Sequence, residues 1–143
     1  MHQRCRKTRR LSAQGIKKLK LVHKRHSTRL MSPKNHHPES IRRCIIDAPP
    51  GWLGLIEEMG LQLDQLKLQD CRVERISERW GRMVCSLNHA DTQASDIVAR
   101  HEKSSASVCM LCSKPAALCC EASGRWIATL CDSCAKNQGF HEL

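Results

Sequence analysis

Tyrosine is absent from this 143-residue chain and phenylalanine occurs once, so Trp52, Trp80, Trp126 and Phe140 are its only aromatic side chains. Aromatic rings dominate the buried area of most cores, and a large aromatic core is excluded. Long apolar runs are missing as well. No stretch is long enough to span a bilayer, and the charged start Met1 to Arg10 is followed by nothing that resembles the apolar segment of a secretory signal. With neither secretion nor a membrane expected, the ten cysteines read as reduced thiols in a cytoplasm, available for metal, and not as a disulfide framework.

Acidic residues are absent from positions 1 to 38, which hold 12 Lys plus Arg; the remaining 12 basic residues sit among all 14 acids. The net charge of +10 therefore divides into +12 in the leader and −2 in the rest. The expected domain is nearly neutral, and the basic character belongs to one segment. The leader has a thin helical periodicity at Leu11, Ile16, Leu19, Val22 and Leu30, and its cations repel one another. It reads as a disordered basic segment that orders on a polyanion. A loop signature from Ser32-Pro33 to His37-Pro38 closes it.

Three regions follow: a leader at 1–38, a helix–hairpin–helix region at 39–107 and a cysteine module at 108–143. Behind Asp47-Ala48-Pro49-Pro50-Gly51, residues Trp52, Leu55, Ile56, Met59, Leu63 and Leu66 recur at helical spacing, predicting an amphipathic helix over about 52–68. Gly54 and Gly60 weaken it by about 1 kcal/mol each relative to Ala, so it needs a surface to cover. Val73 with Ile76, and Met83 through Leu87, predict a hairpin turning at Arg79-Trp80-Gly81. Asp91 or Thr92 is placed to cap a second helix running to about Lys103. A domain of this size gains only about 3–5 kcal/mol from its core, so a metal cross-link would matter.

The cysteine module supplies one. Cys109-x2-Cys112, a gap of 18 residues and Cys131-x2-Cys134 have the spacing of a zinc site. Two residues between thiols allow a tight turn to aim both sulfurs at one point, with backbone N–H groups facing the thiolates, and two such turns complete a tetrahedron. A hairpin of Ala117–Cys120 and Arg125–Leu130, turned at Ala122-Ser123-Gly124, would bring the pairs together. One structural Zn2+ on Cys109, Cys112, Cys131 and Cys134 is the expectation, with no open position for a catalytic water.

Cys119 and Cys120 are adjacent on a strand, face opposite ways and cannot both reach one ion, so one is expected to line the core. A swap in which one of them or His141 displaces a ligand is the lesser alternative. Cys44, Cys71 and Cys85 read as small core residues. Lys114, Arg125 and Lys136 read equally as counter-charges to a four-thiolate centre and as solvated surface.

From Gly51 to Ala135 the chain resembles a family of small zinc-ribbon proteins of bacteriophages, prophages and bacterial genomes, whose activity is not established. Gly51-Trp52 and Leu55-Ile56 match its Gly-Trp start and Leu-Ile helix. Ser77-Glu78-Arg79-Trp80-Gly81 and Arg82-Met83-Val84-Cys85 look like its hairpin, while Gly124-Arg125-Trp126 and Thr129-Leu130-Cys131-Asp132 look like its last strand. Val84 and Cys85 replace an aromatic pair, and Cys134 stands where many relatives have His. Leu130-Cys131-Asp132-Ser133-Cys134 is also similar to the finger of TraR/DksA-type regulators, which bind RNA polymerase; those proteins place a long helical pair before the finger, where this chain has a hairpin.

The expected fold is small α+β: helix, hairpin and second helix packed with a four-Cys zinc-ribbon-like module behind a disordered basic N-terminus. The expected function is a non-enzymatic zinc-binding interaction module of phage or bacterial type, located in the cytoplasm of a bacterium or of a phage's host. DNA or RNA would be attracted through Arg4, Arg6, Lys7, Arg9, Arg10, Lys17, Lys18, Lys20, Lys24, Arg25 and Arg29. The alternative is a TraR/DksA-like regulator of RNA polymerase. A solubilising tail, a mitochondrial presequence and an upstream stretch read from a wrong start codon stay open for the leader. Reading of single strands by base stacking is disfavoured, because so few aromatics are expected to be mostly buried. No catalytic constellation is found: His89 and His101 fall in separate segments and read as surface or core residues.

Overall fold

Behind the Pro-Pro-Gly punctuation the chain makes one 3-10 turn, Pro50–Trp52, and then helix α1, Leu53–Gln65. This is the arrangement in a computed structural model that describes residues 38–143; the basic residues from Arg4 to Arg29, and Cys5, lie outside the described residues. Proline suits a first turn because its missing N–H would have no helical partner there. Helix α1 buries Ile56, Met59 and Leu63, with Trp52 fully buried at its start. It stops about three residues short of the expected end, where Lys67 turns left-handed at φ 51. Near its C-terminus Asp64 accepts the Glu39 and Ser40 backbone N–H groups, each at 2.8 Å, tying down the 3-10 turn Glu39–Ile41.

The expected hairpin is present as β2, Arg72–Arg79, and β3, Arg82–Asn88. Trp80 and Gly81 form its two-residue turn, both at positive φ, 53 and 75, as a type I′ connection requires. Gly81 is doubly constrained, since a Cβ there would lie 2.8 Å from Leu118 Cδ2. A short strand that the sequence did not announce, β1 at Ile45–Asp47, pairs in parallel with the other side of β2. Helix α2, Thr92–Ser105, begins on the first of the two expected caps, with Asp91 Oδ1 accepting from the Ala94 N–H at 2.8 Å. This helix covers the free edge of β3. Met83 N–H donates to Ser105 Oγ at 2.8 Å and Cys85 N–H to Glu102 Oε1 at 2.7 Å, so the edge has side-chain acceptors in place of a further strand.

The second sheet has the order β5-β4-β6, from β4 at Ala117–Glu121, β5 at Ile127–Leu130 and β6 at Phe140–Glu142. The hairpin of β4 and β5 was expected; β6 and the short helix α3, Asp132–Gln138, were not. They explain a departure at the cysteine pair. With β4 central and paired on both sides, Cys119 and Cys120 are both buried, at 3% and 4% exposure, where one had been assigned to the core. Cys44 is buried as expected, whereas Cys71 and Cys85 are only partly buried and pack against the core.

A single hydrophobic cluster joins Ile41, Trp52, Ile56, Ile76 and Met83 to Met110, Ala128, Leu130 and Phe140. Among the described residues the architecture is thus small α+β, with three helices, two three-stranded sheets and a C-terminal four-Cys cluster. Among the described residues no helix is long and apolar enough to cross a membrane. The aromatics divide: Trp52 and Phe140 are buried and Trp126 is partly so, but Trp80 at the hairpin tip is 62% exposed.

Candidate metal centre

The first cysteine pair is carried by a tight turn. Cys109 N–H donates to Lys114 O at 2.8 Å and Ser113 N–H to Cys109 O at 3.1 Å, while Ser113 adopts φ 67 to close it. The second pair straddles a strand end and a helix start: Cys131 follows β5 in extended conformation, and Cys134 lies in the first turn of α3, where Ala135 N–H donates to Cys131 O at 2.8 Å. Met110 N–H donates to Thr129 O at 2.9 Å and joins the two halves beside the thiols.

The structure brings all four predicted ligands together. Their Sγ atoms lie within 4.8 Å of one another, with Cys112–Cys131 at 3.6 Å and Cys112–Cys134 at 3.7 Å. A tetrahedron built on Zn–S bonds of about 2.3 Å has edges of about 3.8 Å, whereas a disulfide needs about 2.05 Å. The spacing fits thiolates around one ion, and all four are free cysteines. A soft four-sulfur set suits zinc or iron and disfavours magnesium and calcium, which take oxygen. Cys109 and Cys131 are buried, Cys134 is half-buried and Cys112 exposed, so the cluster sits at the surface with its back to the core.

Local electrostatics fit the same occupant. The Cys134 backbone N–H, foremost, together with hydrogen bonds from the neighbouring thiols, brings Cys131 down to about 7. Desolvation and the demands of Cys131 and Cys112 raise Cys134 far above the ordinary thiol range. At Cys112 the Lys114 backbone N–H pulls downward, but desolvation and the hydrogen bonds to Cys109 and Cys131 outweigh it and the thiol is raised. One thiolate forms at the expense of its neighbours, and a divalent cation is what would let all four ionise together.

Other candidates stay apart from the cluster. His141 is exposed on β6, and Cys119 Sγ turns to the Ala117 and Leu130 carbonyls at 3.4 and 3.8 Å. Burial pushes Cys44 up to about 11 and Cys85 up to about 12, which makes them inert as nucleophiles. His101 is buried with Nδ1 2.8 Å from Ile97 O, and His89 is exposed. Lys114, Arg125 and Lys136 are all exposed.

The joint that seats the first pair was not legible as such. Gly51 N–H donates to Met110 O at 2.8 Å, and Ser113 Oγ donates to Gly51 O at 2.8 Å. Trp52 Nε1 donates to Val108 O at 3.0 Å. A Cβ on Gly51 would lie 1.9 Å from Cys109 O, so position 51, in the 3-10 turn ahead of α1, must be glycine for the cysteine turn to dock. Gly51-Trp52 was visible as a motif, but it read as the start of a helix.

No protein-family model, no curated protein and no solved structure matches this chain. Fold and site define its class: a small α+β protein with a four-Cys cluster that can hold one metal ion and is consistent with a zinc-binding module. The phage-type and TraR/DksA-type likenesses rest on the residues quoted above.

Proposed function

We propose that this protein is a non-enzymatic, zinc-stapled interaction module whose basic arm draws it to DNA or RNA. The observation that carries the reading is the closed thiol set: four Sγ atoms within 4.8 Å satisfy a tetrahedral ion completely and leave no position for water or substrate. In that role the metal holds β4, β5 and α3 around the two cysteine turns. The arm rests on charge alone: 12 cations and no acid in residues 1 to 38 would release counterions from a polyanion without regard to its sequence. A polymerase regulator of the TraR/DksA kind is less well supported, because α1 and α2 span only 13 and 14 residues and are separated by the hairpin.

The test combines metal analysis of the purified chain with salt-titrated binding to nonspecific duplex DNA and to RNA. A variant with Lys17, Lys18, Lys20 and Lys24 changed to Gln serves as comparison. One zinc per chain in both forms is expected, and the slope of log affinity against log salt on duplex DNA should fall by about 0.9 for each cation removed. Iron, or no metal, would overturn the zinc staple. Zinc without nucleic-acid binding would overturn the arm and point to a protein partner.

A further inference from the structure

The tip of the β2–β3 hairpin breaks two local rules at once. Position one of a type I′ turn favours Asn, Asp or Gly, because a side chain at positive φ is strained; here it is Trp80 at φ 53. The strand ends beside it place Arg79 directly opposite Arg82, a like-charge pair that destabilises a hairpin. Neither choice serves the core, since Trp80 is 62% exposed and both arginines are exposed. Lys103 of α2 joins Trp80, Arg79, Arg82 and Val84 along a groove of about 420 Å³ between the hairpin and the helix. Among the described residues these three cations form no ion pair. The nearby acids are engaged with backbone: Gly81 N–H donates to Glu78 Oε1 at 2.6 Å and Cys85 N–H to Glu102 Oε1 at 2.7 Å.

We propose that Trp80, flanked by Arg79, Arg82 and Lys103, is a stacking site for single-stranded nucleic acid on the folded body, separate from the basic leader. An exposed indole offers a face to any unpaired base, and cations around it match the phosphates on either side. A duplex presents no free base face, so the site distinguishes single strands where the leader would not. An extended peptide could not enter by strand addition at β3, because the Met83 and Cys85 N–H groups already have acceptors on α2. Strain and charge repulsion concentrated at one exposed tip, with no gain in packing, are the pattern of a residue kept for a ligand.

The test uses the full chain, with an oligothymidylate, an oligouridylate and a duplex of equal length as probes. Trp80→Asn is the informative change, because Asn suits the turn and removes the ring without endangering the fold. It should weaken single-strand binding about ten-fold and leave duplex binding unchanged, while Trp80→Phe retains most of the affinity. The double change Arg79→Gln and Arg82→Gln should lower the single-strand salt slope by about 1.4. Comparing the thymidylate and uridylate arms shows whether DNA or RNA is preferred. The same losses should appear in a chain whose leader lysines Lys17, Lys18, Lys20 and Lys24 are Gln. If single-strand binding is absent, vanishes entirely with those lysines, or is indifferent to Trp80→Asn, the hairpin site is overturned. Binding that survives their loss and falls with Trp80→Asn establishes it even where the arm fails.

Discussion

Residues 39–107 and 108–143 solve the same problem of holding a small core by different means. The first region buries Trp52, Ile56, Met59, Ile76 and Met83 almost completely and satisfies its exposed backbone with its own side chains: Asp91 caps α2, while Ser105 and Glu102 cover the edge of β3. In the second, the buried set is smaller and sulfur-rich, with Cys109, Met110, Cys119, Leu130 and Cys131, and four thiols converge where more aliphatic mass would otherwise be needed. A segment below about 40 residues seldom folds without a disulfide or a metal. The contrast gives a metal held by the four thiols a specific place in the fold: it would substitute for core in the second region, and the shared hydrophobic cluster would convey that order to the first.

Removing the metal should produce the largest effect and is the strongest attempt to break this contrast. Apparent binding free energies of structural zinc run to about 10–16 kcal/mol, against about 3–5 kcal/mol for the core of a small domain. Chelation, or Cys112→Ser with Cys131→Ser, is expected to abolish amide-exchange protection in β4 and β5. The β2–β3 hairpin and α1 should keep measurable protection, since none of the four clustered thiols belongs to them. Uniform loss across both regions would show one indivisible unit and erase the distinction.

A smaller and more local perturbation addresses the joint. Gly51→Ala would place a methyl 1.9 Å from Cys109 O, so either α1 or the first cysteine turn must shift; overpacking of this kind costs about 1–3 kcal/mol, and the upper end is expected. Because Gly51 also bonds Met110 and Ser113, metal affinity should fall along with the thermal midpoint. A lower midpoint with unchanged metal affinity would mean that the two regions merely touch at Gly51.

Local signals made much of this legible in the sequence, and non-local ones did not. Both C-x2-C turns, helices α1 and α2, the hairpin turn within Arg79-Trp80-Gly81 and a cap at Asp91 or Thr92 follow from patterns a few residues long; the structure contains each of them, with α1 shorter than expected, the turn narrowed to Trp80-Gly81 and the cap on Asp91. Strands β1 and β6 are three residues each and exist through pairing with β2 and β4, which no short-range periodicity announces. The burial of both Cys119 and Cys120 follows from β6, so it was hidden with it. Asp64 reaches back 24 and 25 residues to cap the turn at Glu39–Ile41, and Gly51 bonds Met110, which lies beyond the hairpin and α2 in the sequence. Exposure of Trp80 could be suspected from its place in a turn, where a side chain points away from both strands, but scarcity of aromatics argued for burying most of them.

Asp91→Ala is expected to have the smallest effect and refines the comparison most finely. Its carboxylate accepts the Ala94 N–H at 2.8 Å, and losing an N-cap costs about 1 kcal/mol. The cap lies at the far end of α2 from the cysteine module, yet the helix runs on through Ser105, whose hydroxyl holds the Met83 N–H, and the chain reaches Cys109 four residues later. Fraying of the first turn should leave that far end in place, because Ala94, Ile97 and Val98 remain buried against the core. The thermal midpoint should therefore drop slightly with zinc content and zinc affinity unchanged. If zinc affinity dropped in proportion, α2 would be acting as a rigid strut between the aliphatic region and the thiols, and the boundary would have to move from residue 107 to the start of that helix.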